Sequence, residues 1–293
     1  MPDDPGVAFV LSGGGSLGAI QVGMVQALYE RDIAPDVITA ASAGALNGAF
    51  LASRPTTSDT ADRLAEVWSG LDTGDVFPFS PLTAMLGALG CQDHLVGSGK
   101  LRELVEKWVE LDDLGQAPIP LHVIATGLLS GAELRLSSGP AVSAVLASAA
   151  LPGVFPPVRR EGRVLVDGGV TDNTPVSDAI ALGARKIYVL PTGYACDLKE
   201  PPRSAIGVAL QSLNVLIHRR LVLDIQRVPE SVELVVLPPL CPLDVVPVDL
   251  SYGEELIRRS REQSRRFLDE LPDDRHVVPE LMGRAYHPHA ESA

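Results

Sequence analysis

The sequence predicts an α/β fold of three layers, with a mostly parallel central sheet held between helices. Short β-branched runs alternate with helical stretches along most of the chain, and such alternation lays strands side by side in parallel. Two strand-to-helix junctions consist of glycines or of small residues around a serine, and a later strand ends in a carboxylate and two glycines. The chain has 293 residues, 46% of them hydrophobic, which suffices for one large core. We expect one α/β domain over residues 1–271, with its core motifs in 7–190, and a poorly ordered tail over 272–293.

Taken in order, Val7–Leu11 is a first buried strand. Ser12-Gly13-Gly14-Gly15-Ser16-Leu17-Gly18 follows at once, and a helix runs from about Ala19 to Arg31. Strand, glycine loop and helix in that order aim several backbone N–H groups at one point, a ready anion site. The string also fits G-x-G-x-x-G, but a dinucleotide fingerprint wants an acidic residue closing the next strand. Asp36 precedes that strand instead. An oxyanion hole made by Gly13, Gly14, Gly15 and Ser16 therefore ranks above a mere tight turn, and both rank above a dinucleotide site.

Val37–Thr39 reads as the second strand and the Ala-rich stretch after Gly44 as a helix, with Ser42 at their junction. A sharp strand-to-helix turn lifts a serine hydroxyl out of the sheet and sets it at a helix N-terminus, where developing negative charge is favoured. Neighbouring backbones come close at such an elbow, and Ala40, Ala41, Ala43 and Gly44 are small enough. The competing role for Ser42 is an ordinary helix N-cap.

Thr60–Leu71 is an amphipathic helix. Asp75–Ser98 then carries Phe77, Phe79, Leu82, Met85, Leu86 and Leu89 among glycines with almost no charge. It is either a loose connection over the core or a mobile cover over an apolar pocket. The spacing of Leu101, Leu104, Val105, Trp108 and Val109 marks another helix, and Trp68 and Trp108 read as core rather than as a ligand platform. Leu121–Ala125 and Glu133–Ser137 are strands, and Ala141–Ala150 is a helix stopped by Leu151-Pro152-Gly153. Arg163-Val-Leu-Val-Asp167-Gly168-Gly169 is a strand ending in a carboxylate, followed by a helix at Val176–Leu182 and a strand at Lys186–Leu190. A long helix spans about Ala205–Arg227, and Ser231–Leu237 is the last strong strand. Ser251 and Glu254 have capping-box spacing ahead of a helix to about Glu270, whose five arginines, offset by acids, read as a solvated face.

Composition narrows the function. Net charge is −13, from 24 basic and 37 acidic side chains, which argues against nucleic acid and against electrostatic docking on anionic lipid. The three cysteines, Cys91, Cys196 and Cys241, are too scattered for a disulfide framework or a zinc site. Met1–Gly6 does not read as a signal peptide and no apolar run is long enough to span a bilayer, which points to a cytoplasmic protein. None of the six histidines, His94, His122, His218, His276, His287 and His289, ends a strand ahead of a loop, so a Ser-His-Asp triad is poorly supported. Asp167 does have that context, although a turn-former before two glycines is its alternative role.

Four stretches, in this order, resemble the patatin-like phospholipases. They are Gly13–Gly18, Ala40–Asn47, the run Ala147-Ser-Ala-Ala-Leu-Pro-Gly-Val-Phe-Pro-Pro157, and Asp167-Gly168-Gly169 with Asn173 and Pro175 beyond it. The resemblance covers about residues 7–190. It implies a Ser-Asp dyad hydrolase of lipid acyl esters that uses no histidine, no metal and no cofactor. Ser42 would be the nucleophile, Asp167 the base and the Gly13–Gly15 backbone the oxyanion hole. Two positions depart from the family pattern: Ala40 stands where the elbow usually begins with glycine, and Leu17 where the glycine loop usually carries Arg or Lys. The expected partner is a lipid or acyl-ester substrate, with peripheral membrane contact through 75–98. A general esterase or thioesterase on soluble acyl substrates and a weakly catalytic lipid-binding scaffold are the rivals.

Overall fold

The computed structural model describes residues 6–78, 83, 85, 86, 89–193, 201, 205–241, 243 and 245–279, apart from the side chains of 205, 206, 209 and 210. Nine strands form one sheet in the order β5-β6-β3-β2-β1-β7-β8-β9, with β4 paired to β3. They are β1 (Val7–Leu11), β2 (Val37–Ala41), β3 (Leu121–Gly127), β4 (Glu133–Leu136), β5 (Val158–Arg160), β6 (Arg163–Asp167), β7 (Lys186–Leu190), β8 (Glu233–Val236) and β9 (His276–Val277). Strands β3, β2, β1, β7, β8 and β9 run parallel, whereas β4 and β6 are antiparallel to β3, and β5 to β6.

Side chains alternate along each strand, so the two faces of the sheet acquire separate cores. Phe9, Leu11, Ile38 and Ala40 point to one face. There they meet α1 (Gly18–Tyr29), α2 (Ala43–Ala52), α3 (Ser58–Ser69), α5 (Gly99–Trp108), α6 (Ala141–Ser148) and α9 (Gly253–Asp269). Ala8, Val10, Val37, Ile187 and Val189 point to the other, against α7 (Val176–Ala181) and α8 (Ala205–Gln226). A four-residue helix, α4 (Thr73–Val76), follows α3. The expected sheet between helices is what forms.

Several local readings change. No capping box forms at Ser251: α9 starts at Gly253 without a side-chain cap, and Ser251 Oγ bonds Asp249 Oδ1 at 2.6 Å instead. The box forms at Asp72 and Asp75, ahead of α4. The arginine face of α9 is also more than a solvated face. Arg261 and Arg265 both bond Glu30 at the end of α1, and Arg31 bonds Asp269. His276–Val277 pairs with β8, so the sheet extends past residue 271 into the stretch read as a tail.

Strand β1 sits between β2 and β7, so the chain leaves it on one side and returns on the other. Crevices open beyond the carboxyl ends of strands at such a reversal. The glycine loop leaves β1 there, and Ser42 leaves β2 there.

Candidate active site

Ser42 takes φ 52° and ψ −122°, a conformation that costs a non-glycine residue about 1–3 kcal/mol. It stands immediately before α2 yet makes no capping bond with its side chain. Its Oγ donates instead to Asp167 Oδ2 at 2.6 Å, so the N-cap role is not the one it plays. The backbone is fixed from outside: Ser42 N–H donates to Ser148 Oγ at 2.8 Å. The tight turn also demands Gly44, where a Cβ would run into the Leu11 carbonyl.

Asp167 reaches Ser42 by register rather than by lying in a parallel array. Ala41 pairs with Ile124, so Ser42 falls level with Ala125, and Ala125 pairs with Asp167 on the antiparallel β6. Gly168 and Gly169 then turn the chain away, and Gly169 N–H donates to Asp167 Oδ1 at 2.7 Å. Thr126 Oγ1 holds the Asp167 carbonyl at 2.8 Å, and Asp167 N–H donates to the Ala150 carbonyl at 2.9 Å. The carboxyl group is buried, and loss of hydration pushes its pKa up to about 6, against the opposing pull of the Ser42 and Gly169 hydrogen bonds.

The glycine loop narrows the expected anion site. Gly13 N–H donates to the Asn173 carbonyl at 3.0 Å, and Ser16 N–H donates to the Pro247 carbonyl at 2.8 Å, so neither is free for a ligand. Among the described residues the Gly14 and Gly15 N–H groups make no hydrogen bond. Gly15 has φ 58°, and a Cβ there would meet the Pro247 carbonyl. Asn173 Nδ2 and Thr192 Oγ1 both donate to the Gly13 carbonyl, at 3.1 and 2.6 Å.

Above this floor lies a cavity of about 660 Å³ that includes Ser42, Asp167 and Gly13–Leu17. Its wall is mostly apolar and comes from distant stretches, including Trp68, Phe77, Leu104, Trp108, Leu240 and Leu243. Leu17 faces it too, adding apolar surface where a cation was the family habit. Among the described residues Asp167 is the one charged side chain on the wall. Trp68 and Trp108 are therefore both core and wall. Trp68 Nε1 donates to Asn47 Oδ1 at 2.8 Å, Asn47 Nδ2 donates to Gln21 Oε1, and Gln21 Nε2 donates to the Ser12 and Leu190 carbonyls. Polar side chains at Gln21 and Asn47, within mostly apolar helices, were the available signal for this buried network.

Of the apolar segment 75–98, Val76 and Phe77 line the cavity, and Phe77 stacks on Phe155 with ring centres 5.3 Å apart. Met85 and Leu89 are exposed, while Phe79, Pro81 and Leu82 lie outside the described residues. Leu240, Leu243, Leu250 and the run 245–248, with residues on α8, none of which sequence reasoning assigned to the site, form much of the rest.

No described histidine lines the cavity; His287 and His289, like Cys196, lie outside the described residues. His94 pairs with Asp93, His276 Nε2 lies 3.0 Å from the Val232 carbonyl, and His122 is held below its usual pKa by burial. His218 is buried. Asp36 Oδ2 accepts from Val7 N–H at 2.8 Å and opens β1, far from a ribose-binding role. Among the described residues one carboxylate cluster, Glu133, Asp172 and Asp178, brings oxygens within 4.8 Å of one another. Arg135 bonds Asp178 there, and Arg220 lies 3.8 Å from Asp172.

The sequence profile of the patatin-like phospholipase family matches residues 9–180. Patatin-like phospholipase domain-containing protein 7 of Mus musculus is 29% identical over 192 residues, 64% of this chain and 14% of its own length. Lysophospholipase NTE1 of Mycosarcoma maydis is 30% identical over 220 residues, 73% of this chain and 11% of its own. The uncharacterized NTE family protein Rv1063c of Mycobacterium tuberculosis is 31% identical over 180 residues, 61% of this chain and 47% of its own. The chain thus spans less than half the length of each of these relatives. The structure of VipD from Legionella pneumophila overlays with a TM-score of 0.46 at 15% identity, covering 91% of this chain and 67% of that one, too loose a likeness to inform the site. With more than half of the 293 residues inside the matched span, and all four ordered motifs within it, the chain belongs to the patatin-like phospholipase family.

Proposed function

We propose that the chain is a serine acyl hydrolase with a Ser42–Asp167 dyad, cleaving ester bonds of phospholipids or related lipids to release fatty acid. The observation that carries this reading is the 2.6 Å bond from Ser42 Oγ to a buried carboxylate on the floor of a mostly apolar cavity. In the first half-reaction Ser42 Oγ attacks the ester carbonyl carbon while its proton passes to Asp167 Oδ2. The negative charge moves to the carbonyl oxygen, which the Gly14 and Gly15 N–H groups would stabilise. Collapse expels the alcohol oxygen, which takes the proton from Asp167, and leaves an acyl-Ser42 ester. A water then gives its proton to Asp167 and attacks the acyl carbon, and Ser42 leaves with that proton restored.

A carboxylate is an inefficient base at its ordinary pKa, and burial near an apolar strand brings Asp167 closer to working pH. The fatty chain has the cavity wall to lie against, which favours a lipid ester over a small soluble one. One relative is named a lysophospholipase, which agrees with a lipid ester as substrate. A fluorophosphonate probe should label the wild-type protein and leave Ser42→Ala unlabelled at the same folded content by circular dichroism. Labelling of the Ala variant would remove Ser42 from the mechanism.

A further inference from the structure

Asn173 stands beside both reacting groups, and the bond made by one arm of its amide leaves the other arm free. Its Nδ2 donates to the Gly13 carbonyl at 3.1 Å. That carbonyl can only accept, so the amide nitrogen must face it and Oδ1 is the other arm. Oδ1 makes no hydrogen bond among the described residues, and Asn173 lines the cavity together with Ser42, Asp167 and Gly169. Two glycines locate that oxygen. A Cβ at Gly13 would stand 2.4 Å from Asn173 Oδ1 and 2.8 Å from Ser42 Cβ. A Cβ at Gly169 would stand 2.7 Å from Asn173 Oδ1 and 3.1 Å from Asp167 Oδ1. Asn173 Oδ1 therefore lies within about two hydrogen-bond lengths of the carboxylate, the span that one water bridges.

Bracing the glycine loop does not by itself require this amide. Thr192 Oγ1 holds the same Gly13 carbonyl at 2.6 Å, and Gly13 N–H donates to the Asn173 main-chain carbonyl, which any residue would supply. The stretch that carries Asn173 is itself fixed. Asp172 N–H donates to the Gly168 carbonyl at 2.9 Å, and Thr174 N–H donates to Asp172 Oδ1 at 3.0 Å. A free acceptor so held in a mostly apolar cavity meets a requirement of the second half-reaction. A confined water needs about two to four polar partners. Asp167 takes one hydrogen of the attacking water, and a second acceptor must hold the other for the oxygen lone pair to be aimed.

We propose that Asn173 Oδ1 orients the hydrolytic water that releases the acyl group from Ser42. The proposal rests on the acyl-enzyme reading above. Once Ser42 Oγ is esterified it no longer donates to Asp167, and the carboxylate can accept from water. One O–H of that water donates to Asn173 Oδ1 and stays intact. The other gives its proton to Asp167 as the water oxygen bonds to the acyl carbon, and the carbonyl electron pair moves onto the carbonyl oxygen. That pair then returns, the bond to Ser42 Oγ breaks, and Ser42 takes the proton back from Asp167. Attack by Ser42 in the first half-reaction involves no water, so Asn173 Oδ1 serves the second half alone.

The test is the kinetics of a p-nitrophenyl ester of a long-chain acid, whose good leaving group makes release of the acyl group the slow step. Here kcat reports deacylation and kcat/KM reports acylation. Asn173→Ala should lower kcat about tenfold or more while kcat/KM changes by less than about threefold, so that KM falls with kcat. At a substrate concentration below the wild-type KM, the acylated fraction of Ser42 should rise, read by intact-protein mass spectrometry. Labelling by a fluorophosphonate should keep its rate. Asn173→Ser, whose hydroxyl is too short to take the place of Oδ1, should behave alike and guards against one variant failing to fold. Thr192→Val removes the other side-chain hold on the Gly13 carbonyl and should instead lower kcat and kcat/KM together, with KM unchanged. An equal fall in kcat and kcat/KM in the Asn173 variants, with labelling slowed to match, would reduce Asn173 to a brace and overturn the proposal. Wild-type kinetics in both Asn173 variants would overturn it as well. Wild type that forms no acyl-Ser42 would sink the dyad reading and this inference with it, whereas a wild-type acyl-enzyme with no split in the variants would sink this inference alone.

Discussion

On one side of the cavity Ser42, Asp167, Asn173 and Thr192 are each held by hydrogen bonds to backbone or to one another. On the other, Val76, Phe77, Leu104, Leu240 and Leu243 meet the same space through apolar contact alone. A hydrogen-bonded floor tolerates little displacement, because each bond has a direction and a buried group left without one costs about 1–3 kcal/mol. An apolar wall is constrained chiefly by volume and can be recut. The floor should therefore decide whether an ester reacts, and the wall which ester fits.

The sharpest way to break that division is Asp167→Asn. An amide cannot take the Ser42 proton, and turnover should fall on the order of 10⁴-fold for long and short acyl esters alike. The same residue sets the pH profile. Because Asp167 works as a base only when ionised and burial lifts its pKa to about 6, kcat/KM should climb with pH through about 6 and level off above it. A limb near the ordinary carboxylate value would mean that Asp167 is more hydrated than its burial indicates.

Ser148→Ala should have an intermediate effect. It removes the acceptor for Ser42 N–H without touching either reacting group. We expect kcat to drop roughly tenfold with KM unchanged, as the elbow loses its fixed geometry. A raised KM with kcat intact would place Ser148 with the wall instead.

The smallest effect, and the one that should discriminate between substrates, belongs to Phe77→Ser. Loss of the ring stacked on Phe155 should lower kcat/KM for a long-chain ester by about threefold to tenfold. A short-chain ester should be unaffected. Equal losses on both would make Phe77 a purely structural residue and erase the distinction between floor and wall.

The floor was largely legible in the sequence because its parts are contiguous and chemically marked. A serine at a strand-helix junction, three glycines after a strand and an Asp-Gly-Gly after another each constrain the backbone locally. The wall was not, because Leu240, Leu243 and α8 reach the cavity only through tertiary packing. Helical periodicity turned Trp68 and Trp108 inward correctly, but it cannot say whether the inward space is filled or open. The loop could be recognised as an anion site, yet which N–H groups stay free depended on the Asn173 and Pro247 carbonyls, far away in the chain. Strands as short as β5 and β9 carry too few residues for alternation to register, and their partners alone define them.

The bond from Ser16 N–H to the Pro247 carbonyl, with Ser16 Oγ 3.2 Å from the Val246 carbonyl, has a bearing on how this molecule could be rebuilt. A graft that carried residues 7–190 into another scaffold would bring every recognisable motif and leave behind the two carbonyls that brace the glycine loop. The motif-bearing stretch is thus not a transplantable cassette. Recasting the enzyme for a new substrate is better attempted from the other end, by exchanging 240–245 while leaving Val246 and Pro247 in place as the hinge between old chemistry and new shape.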